Sequence, residues 1–496
     1  VKRVFTGILV VSLFLACTQT PAVSEEVNGG KAVSAAFYIA PDGNDFNPGT
    51  EEKPWRTIQK AADMAAPGST VYVKQGVYKE KVIIRVSGNA EQGYITFCPY
   101  PGHKVVIDGA GVRARRNTFG DNLIYIENKD YIRIQGFELA NNKVRDGSGI
   151  RVYNSADHIS IINNKIYGIR GANAMGITIY GKGTRPVSNL LIRGNEIFNC
   201  DPAPSEAVTL NGNVKDFQIL DNTIHDVNNI GIDMIGGEHW LSNEAVRNGV
   251  CSGNTVYRAR SSYEDGYAAG IYVDGGRNII IERNRVFACD LGLEVGAENN
   301  DALAENVVVR NNLVYQNDKA GIAVGAFSLK GGKVRGCTVI NNTLYENNRV
   351  KAEGEIWIQY AEGVEVVNNI VVSSANKQGD AFLLTSLDNP GGGSLTFDFN
   401  LFYVNKLGRN RDLFLIGRKT YTGLADYQKA TGQGTHSVFA DPRFRGLPQA
   451  DKGGFSLAPA SPARDSGTDH DARGEYDYYG NVRMRGTAVD RGAVEL

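Results

Sequence analysis

Cysteine, methionine and tryptophan are scarce in this 496-residue chain, at six, four and three copies. Cys17 stands alone near the start. The other five, Cys98, Cys200, Cys251, Cys289 and Cys337, are odd in number, widely spaced and free of any CxxC pair. That pattern excludes a disulfide framework and a zinc site, and inert buried thiols are expected. Charge is nearly balanced, with 53 Lys and Arg against 54 Asp and Glu, for a formal net charge of −1. Without a basic cluster, no nucleic-acid partner is expected. Helix-period stretches are few. Glycine, by contrast, is abundant at 58 residues, and Asn is frequent. This is the composition of strands and turns.

The first residues read as an export signal. Lys2 and Arg3 precede an apolar run from Val4 to Ala16. The run is too short to span a bilayer comfortably, and no later segment could do so. Cys17 follows Leu15-Ala16, as at a bacterial lipoprotein cleavage site, although Phe14 occupies the place where Leu is usual. Residues 1–17 are therefore read as a signal or lipoprotein-type region and 18–36 as a flexible tether. The expected location is outside the cytoplasm: an outer-membrane or cell-surface lipoprotein, or a periplasmic or secreted protein. The only membrane link expected is a lipid on Cys17, and a monomer is expected.

The middle of the chain repeats. NNKIYG, GNEIFN, DNTIHD, GNTVYR, RNRVFA, NNLVYQ, NNTLYE and NNIVVS each carry Asn second, at 164, 195, 222, 254, 284, 312, 342 and 369. Periods of roughly 30 residues signal a solenoid. Each period also holds an alternating strand, such as GITIYG, GIDMIG, GIYVDG or GLEVGA, and a short apolar run before the Asn. Apolar residues at every second place bury one face. Short strands and sharp turns repeated in this way predict an all-β, right-handed parallel β-helix. The Asn column is expected to be structural, with each amide bonding the next at a corner. His225, beside it, is expected to be structural too.

On these repeats the chain resembles the right-handed parallel β-helix superfamily over about residues 37–465. Two end segments add to the resemblance. Residues 37–80 are similar to the N-terminal cap region of exported β-helix proteins, with Ile58, Ala61, Ala62 and Ala65 on one face of a short helix that Pro67-Gly68 ends. Residues 441–467 are similar to a closing segment. We divide the chain into the cap and first coils (37–110), the core (111–400) and a closing region (401–496). Most characterised members of the superfamily act on carbohydrates, as polysaccharide lyases, glycoside hydrolases or epimerases. The resemblance therefore implies a carbohydrate-active protein without fixing the reaction.

Aligning the strands gives two outward columns. One reads Arg151, Thr178, Thr209, Asp233, Tyr272, Glu294, Ala323, Trp357, and the other Tyr153, Tyr180, Asn211, Ile235, Asp274, Gly296, Gly325, Gln359. Asp233, Asp274 and Glu294 fall on three successive coils of one face. With coils ~4.8 Å apart and ~6.6 Å per two strand residues, their carboxyl groups are expected within ~5–9 Å. Loops 237–249 and 258–269 could wall a groove. Tyr272, Trp240, His239, Tyr263, Tyr267, Glu264, Asp265, Asn211 and Trp357 are the expected substrate contacts, since aromatic faces suit sugar C–H faces.

Clustered carboxyls suit glycoside hydrolysis, where one acid protonates the leaving oxygen and another attacks or activates water. Glu294 is the expected acid, Asp274 the nucleophile or base, and Asp233 the tuning group. No cofactor is required. The first alternative is a polysaccharide lyase of acidic glycans, in which the same acids would hold calcium and His239 or Arg258 could act as base. The second is a glycan-binding surface protein without catalysis. The acidic run 469–477 is expected to be a solvated tail.

Overall fold

The computed structural model describes residues 35–113, 118–263, 265–326, 328, 330–387, 395–447 and 454–496. Cys17 and Glu264 lie outside them. The described residues form a right-handed parallel β-helix whose strands stack in three columns. The strand column at the Asn corner is a 13-stranded parallel sheet, running from Gly76–Tyr78 to Val438–Phe439. The other two columns merge into one 24-stranded sheet, because the long strands Asp121–Gln135 and Gly147–Ile162 bend through both. The interior is a continuous apolar column, with Ile150, Ile177, Ile232, Ile271, Leu293, Ile322 and Ile356 all fully buried. Cys200, Cys251 and Cys289 are buried in it and free, and burial pushes the Cys200 and Cys289 thiols up to about 12.

Both ends are plugged. The helix Ile58–Met64 is N-capped by the Thr57 hydroxyl, which accepts from Lys60 N, and buries Ile58, Ala61 and Ala62. At the other end the helix Leu424–Thr431 buries Leu424 and Tyr427, with Tyr427 stacked on Phe414 at 5.2 Å. Capping of this kind removes the open apolar end that a solenoid would otherwise expose.

The Asn column forms a ladder. Each Nδ2 donates to the Oδ1 of the next, from Asn164 through Asn195, 222, 254, 284, 312, 342 and 369 to Asn400, at 2.9–3.1 Å. The same Oδ1 also accepts the backbone N–H of the preceding Asn. The ladder Asn is not itself the strained residue. The left-handed backbone belongs to the residue before it: Asn163, Gly194, Asp221, Gly253, Arg283, Asn311, Asn341 and Asn368 all have φ between 53° and 69°. Beside the ladder Tyr167, Phe198, His225, Tyr257, Phe287 and Tyr315 stack at 4.7–5.3 Å, so His225 sits in an aromatic pile between coils.

The C-terminal segment is not a solvated tail. Residues 465–496 run back along the Asn corner. Asn311 donates to Arg473 O and Tyr476 O, Asn341 to Asp490 O and Asn368 to Thr468 O. Asp477 and Arg483 are fully buried. The outward Asn at three successive corners, Asn311, Asn341 and Asn368, supplies bonds that dock this return strap.

Candidate active site

The first outward column holds as a register on every coil, whereas in the second Ile235 bridges Gly275 instead of pairing with Asp274. Thr209 pairs with Asp233, Asp233 with Tyr272, Tyr272 with Glu294, and Ala323 with Trp357 on successive coils. Asn211 pairs with Ile235, and Asp274 with Gly296. Alternation explains the placement. Ile232 and Met234 point into the core, so Asp233 between them points out, and Ile271 and Val273 do the same for Tyr272 and Asp274.

The column opens into a cleft of about 710 Å³. Asp233, Asp274, Glu206, Glu238 and Glu298 bring carboxyls to it, and Asn211 and Arg151 line it as well. An adjoining cavity of about 630 Å³ holds Glu294, Tyr272 and Trp357. Glu298, Tyr267 and Ile230 border both. The three acids expected from the sequence therefore lie along one groove, but they face it in two chambers.

Little cationic charge offsets these carboxyls. Asp233 is 2 % exposed, and its Oδ1 has no hydrogen-bond partner. Burial, then the charges of Glu206, Asp274, Glu298 and Glu294, push its carboxyl well above the usual range. Asp274 is raised well above its ordinary value by burial and then by Glu298, although its Oδ1 accepts the Glu298 backbone N–H at 2.7 Å. That bond comes from the next coil, so Asp274 does more than close its own turn. Glu294 is likewise raised, by burial and then by Glu298 and Asp274. Burial and Glu238 lift Glu206 to about 7, while its Oε2 accepts from the Thr209 hydroxyl at 2.8 Å. Buried like charges hold one another's protons on, so these groups release their protons at higher pH than a free carboxyl does.

A calcium ion would need several oxygens at about 2.3–2.6 Å. Among the described residues no group of three or more His, Cys, Asp or Glu side chains is arranged to hold a metal ion. The acids are instead strung along three coils and three flanking turns.

The walls are aromatic. Trp240 is half-exposed, donates from Nε1 to Glu238 Oε2 at 2.7 Å, and sits edge-on to Tyr180 at 5.5 Å. Its loop is anchored by Leu241, packed with Met175 and Tyr180. Asn211 donates to Glu238 at 2.6 Å. Loop 258–269 is pinned at both ends by Asp290, whose Oδ2 accepts from Ser261 N and Ala268 N. Tyr263 stands exposed at the cleft, and the Tyr267 hydroxyl donates to Glu353 at 2.8 Å with the Lys319 ammonium 3.7 Å from its ring centre. Arg151, 1 % exposed, donates to Ser148 Oγ and to the carbonyls of Phe119 and Asp146 at one end of the cleft.

One expected contact borders the second cavity as a packed ring, and two fall elsewhere. Tyr272 is not an open platform: it is 3 % exposed, packed with Ala269, Leu291, Ala320 and Ala323, and an added Cβ at Gly296 would lie 2.8 Å from its hydroxyl. His239 is exposed and engages Asn243 and Asp301 away from the cleft lining. Asp265 is an exposed turn residue with φ 56°. Arg258, the expected alternative base, is paired with Asp226. Glu206, Glu238 and Glu298 were missed because they sit in turns flanking the strands, where no alternation marks direction.

A Pel9A-like right-handed β-helix region model matches residues 37–216, and a general right-handed β-helix region model matches 211–371. The uncharacterized protein YwoF of Bacillus subtilis (strain 168) is 34% identical over 443 residues, covering 86% of this chain and 92% of YwoF. The chain belongs to the pectate lyase-like right-handed β-helix superfamily of carbohydrate-active proteins. Within the superfamily, pectate lyase PEL9 of Emericella nidulans is 31% identical over 163 residues, 30% of this chain and 38% of PEL9. The structure of XylC with xylose superposes with TM-score 0.51 at 13% identity, covering 93% of this chain and 98% of that one, a likeness of fold.

Proposed function

We propose that this protein is an exported glycoside hydrolase acting on a polysaccharide or oligosaccharide bound across the two chambers. One observation carries the reading: a line of buried carboxyls with little cationic charge beside it among the described residues, raised together so that one can keep a proton while another ionises, faces an aromatic-walled cleft. Catalysis of glycosidic cleavage needs such a split, one carboxyl with its proton and one without. Asp274 is the group whose ionised form receives a backbone N–H, so it serves as nucleophile or base. Glu294, on the neighbouring coil and less buried than Asp233, is the general acid. Its proton passes to the glycosidic oxygen as the C–O bond breaks. Water supplies the new hydroxyl on the anomeric carbon, and its proton returns to the carboxylate pair. Asp233, buried on the preceding coil, is the tuning group: ionised, it would hold its neighbours' protons on, and protonated, it leaves them free to ionise.

The Pel9A-like region and the PEL9 relative favour a lyase as second reading. Incubation with a polysaccharide panel separates the two. New reducing ends without the absorbance of unsaturated uronate support hydrolysis, and both signals together support a lyase. Unchanged glycans that nonetheless bind would leave a binding protein.

A further inference from the structure

The first chamber gathers acids without the cations that would balance them. Asp146, Glu206, Asp233, Glu238, Asp274 and Glu298 line it. Among its described lining residues the one cation is Arg151, and that guanidinium donates to Ser148 Oγ and to two carbonyls, not to a carboxylate. Asp146 is answered by Arg145 at 3.6 Å and by Asn173 at 2.8 Å. None of the other acids has an ion-pair partner among the described residues. Asp233, 2 % exposed, receives no hydrogen bond from them either. A buried carboxyl that the protein leaves unanswered calls for a cation from elsewhere. Glu206 and Glu238 are only half-buried and Glu298 is exposed, so these acids are open to a ligand. Glu206 and Glu298 both feel the charge of Glu238, which sets the three around one space. Glu238 also touches the half-exposed Trp240, whose Nε1 holds its Oε2, while no described residue donates to its Oε1.

We propose that the first chamber is a subsite for an amino sugar with a free ammonium group, set against the ring of Trp240 and held by Glu206, Glu238 and Glu298. An ammonium brings several N–H donors and the positive charge that the chamber lacks. Its arrival favours the ionised form of acids that otherwise hold on to their protons. A hydroxyl or an acetamido group offers a donor but no charge, and a uronate carboxylate is repelled, so charge does the selecting. The indole takes the C–H face of the sugar ring and adds attraction for the cation. The inference deepens the hydrolase reading by naming a substrate class, and it rests on that reading for the ligand being a sugar. Its test does not need turnover.

Monosaccharides contain no glycosidic bond, so binding to the full-length protein isolates the subsite. The probes are glucosamine, galactosamine and mannosamine near neutral pH, each against its parent hexose and its N-acetyl derivative, followed by ligand-observed NMR titration. At least one amino sugar should bind about tenfold tighter than both of its uncharged counterparts, the size expected of a charge-assisted hydrogen bond. Glu298→Gln keeps the backbone amide that holds Asp274 and removes one charge, and Glu238→Gln keeps an oxygen for Trp240. Each should cut the preference about threefold or more while far-ultraviolet circular dichroism stays unchanged. Amino sugars binding no tighter than their counterparts, no binding of any, or a preference intact in both variants would overturn the subsite. Loss of the preference in millimolar calcium chloride would overturn it too, by giving the acids to a metal ion. None of these results bears on whether the cleft hydrolyses glycans.

Discussion

Replacing Glu206 by Gln should stabilise the protein at pH 8 and leave it unchanged at pH 4. Glu206 is half-buried, and its carboxyl is lifted from 4.5 to about 7, first by burial and then by Glu238. A raised carboxyl is held against ionisation in the fold. Below the unfolded value, both states carry the proton and there is no penalty. As pH rises past 4.5, the unfolded chain releases its proton first, and the folded state loses stability until Glu206 ionises near 7. At about 1.4 kcal/mol per pKa unit, the loss is about 3 kcal/mol. Gln keeps an oxygen for the Thr209 hydroxyl and carries no charge. Equilibrium urea unfolding at pH 4, 6 and 8 tests this. A variant no more stable than the parent at pH 8, or one gaining as much at pH 4, would show that the charges here are not in conflict.

The ladder and the site yield further expectations. Asn284→Ala removes four ladder hydrogen bonds, taking an acceptor from Asn254 N and Nδ2 and a donor from Cys251 O and Asn312 Oδ1, and should cost about 3–5 kcal/mol in the same unfolding assay, whereas His225→Phe, which preserves the stack, should cost under about 1 kcal/mol. Turnover should fall on the alkaline side as Glu294 and its neighbours lose protons, with the limb displaced upward from a free carboxyl, and Glu298→Gln should move that limb toward acid, as a pH–rate profile would reveal. The hydrolase reading expects activity to persist in excess chelator, and a loss restored by calcium would favour the lyase. Expressed in a bacterium with radiolabelled palmitate, the chain should take up label through Cys17 and fail to do so as Cys17→Ser.

The fold was legible because each coil repeats its instructions. Alternation in segments such as GIDMIG fixed which residues face out, and the register Asp233–Tyr272–Glu294 follows from it. The corner strain was also written in the sequence, in the first letter of each Asn phrase, where Asn, Asp and Gly recur because they tolerate left-handed backbone. Alternation does not extend to turns, however. Glu206, Glu238 and Glu298 reach the cleft by turn geometry, and of these three acids Glu298 borders both chambers. Tyr272 has the outward position expected of a platform, yet its neighbours Leu291 and Ala320 close over it. Outward from the coil is not the same as open to solvent. The return strap was not readable either, since Asn341 and Asp490 meet across 149 residues of chain.

The central claim is that a glycosidic bond is broken between Asp274 and Glu294. On a glycan that the parent protein cleaves, Asp274→Asn and Glu294→Gln should each lower kcat by two or more orders of magnitude while glycan binding is retained. Turnover within a few-fold of the parent in either variant would contradict the assignment.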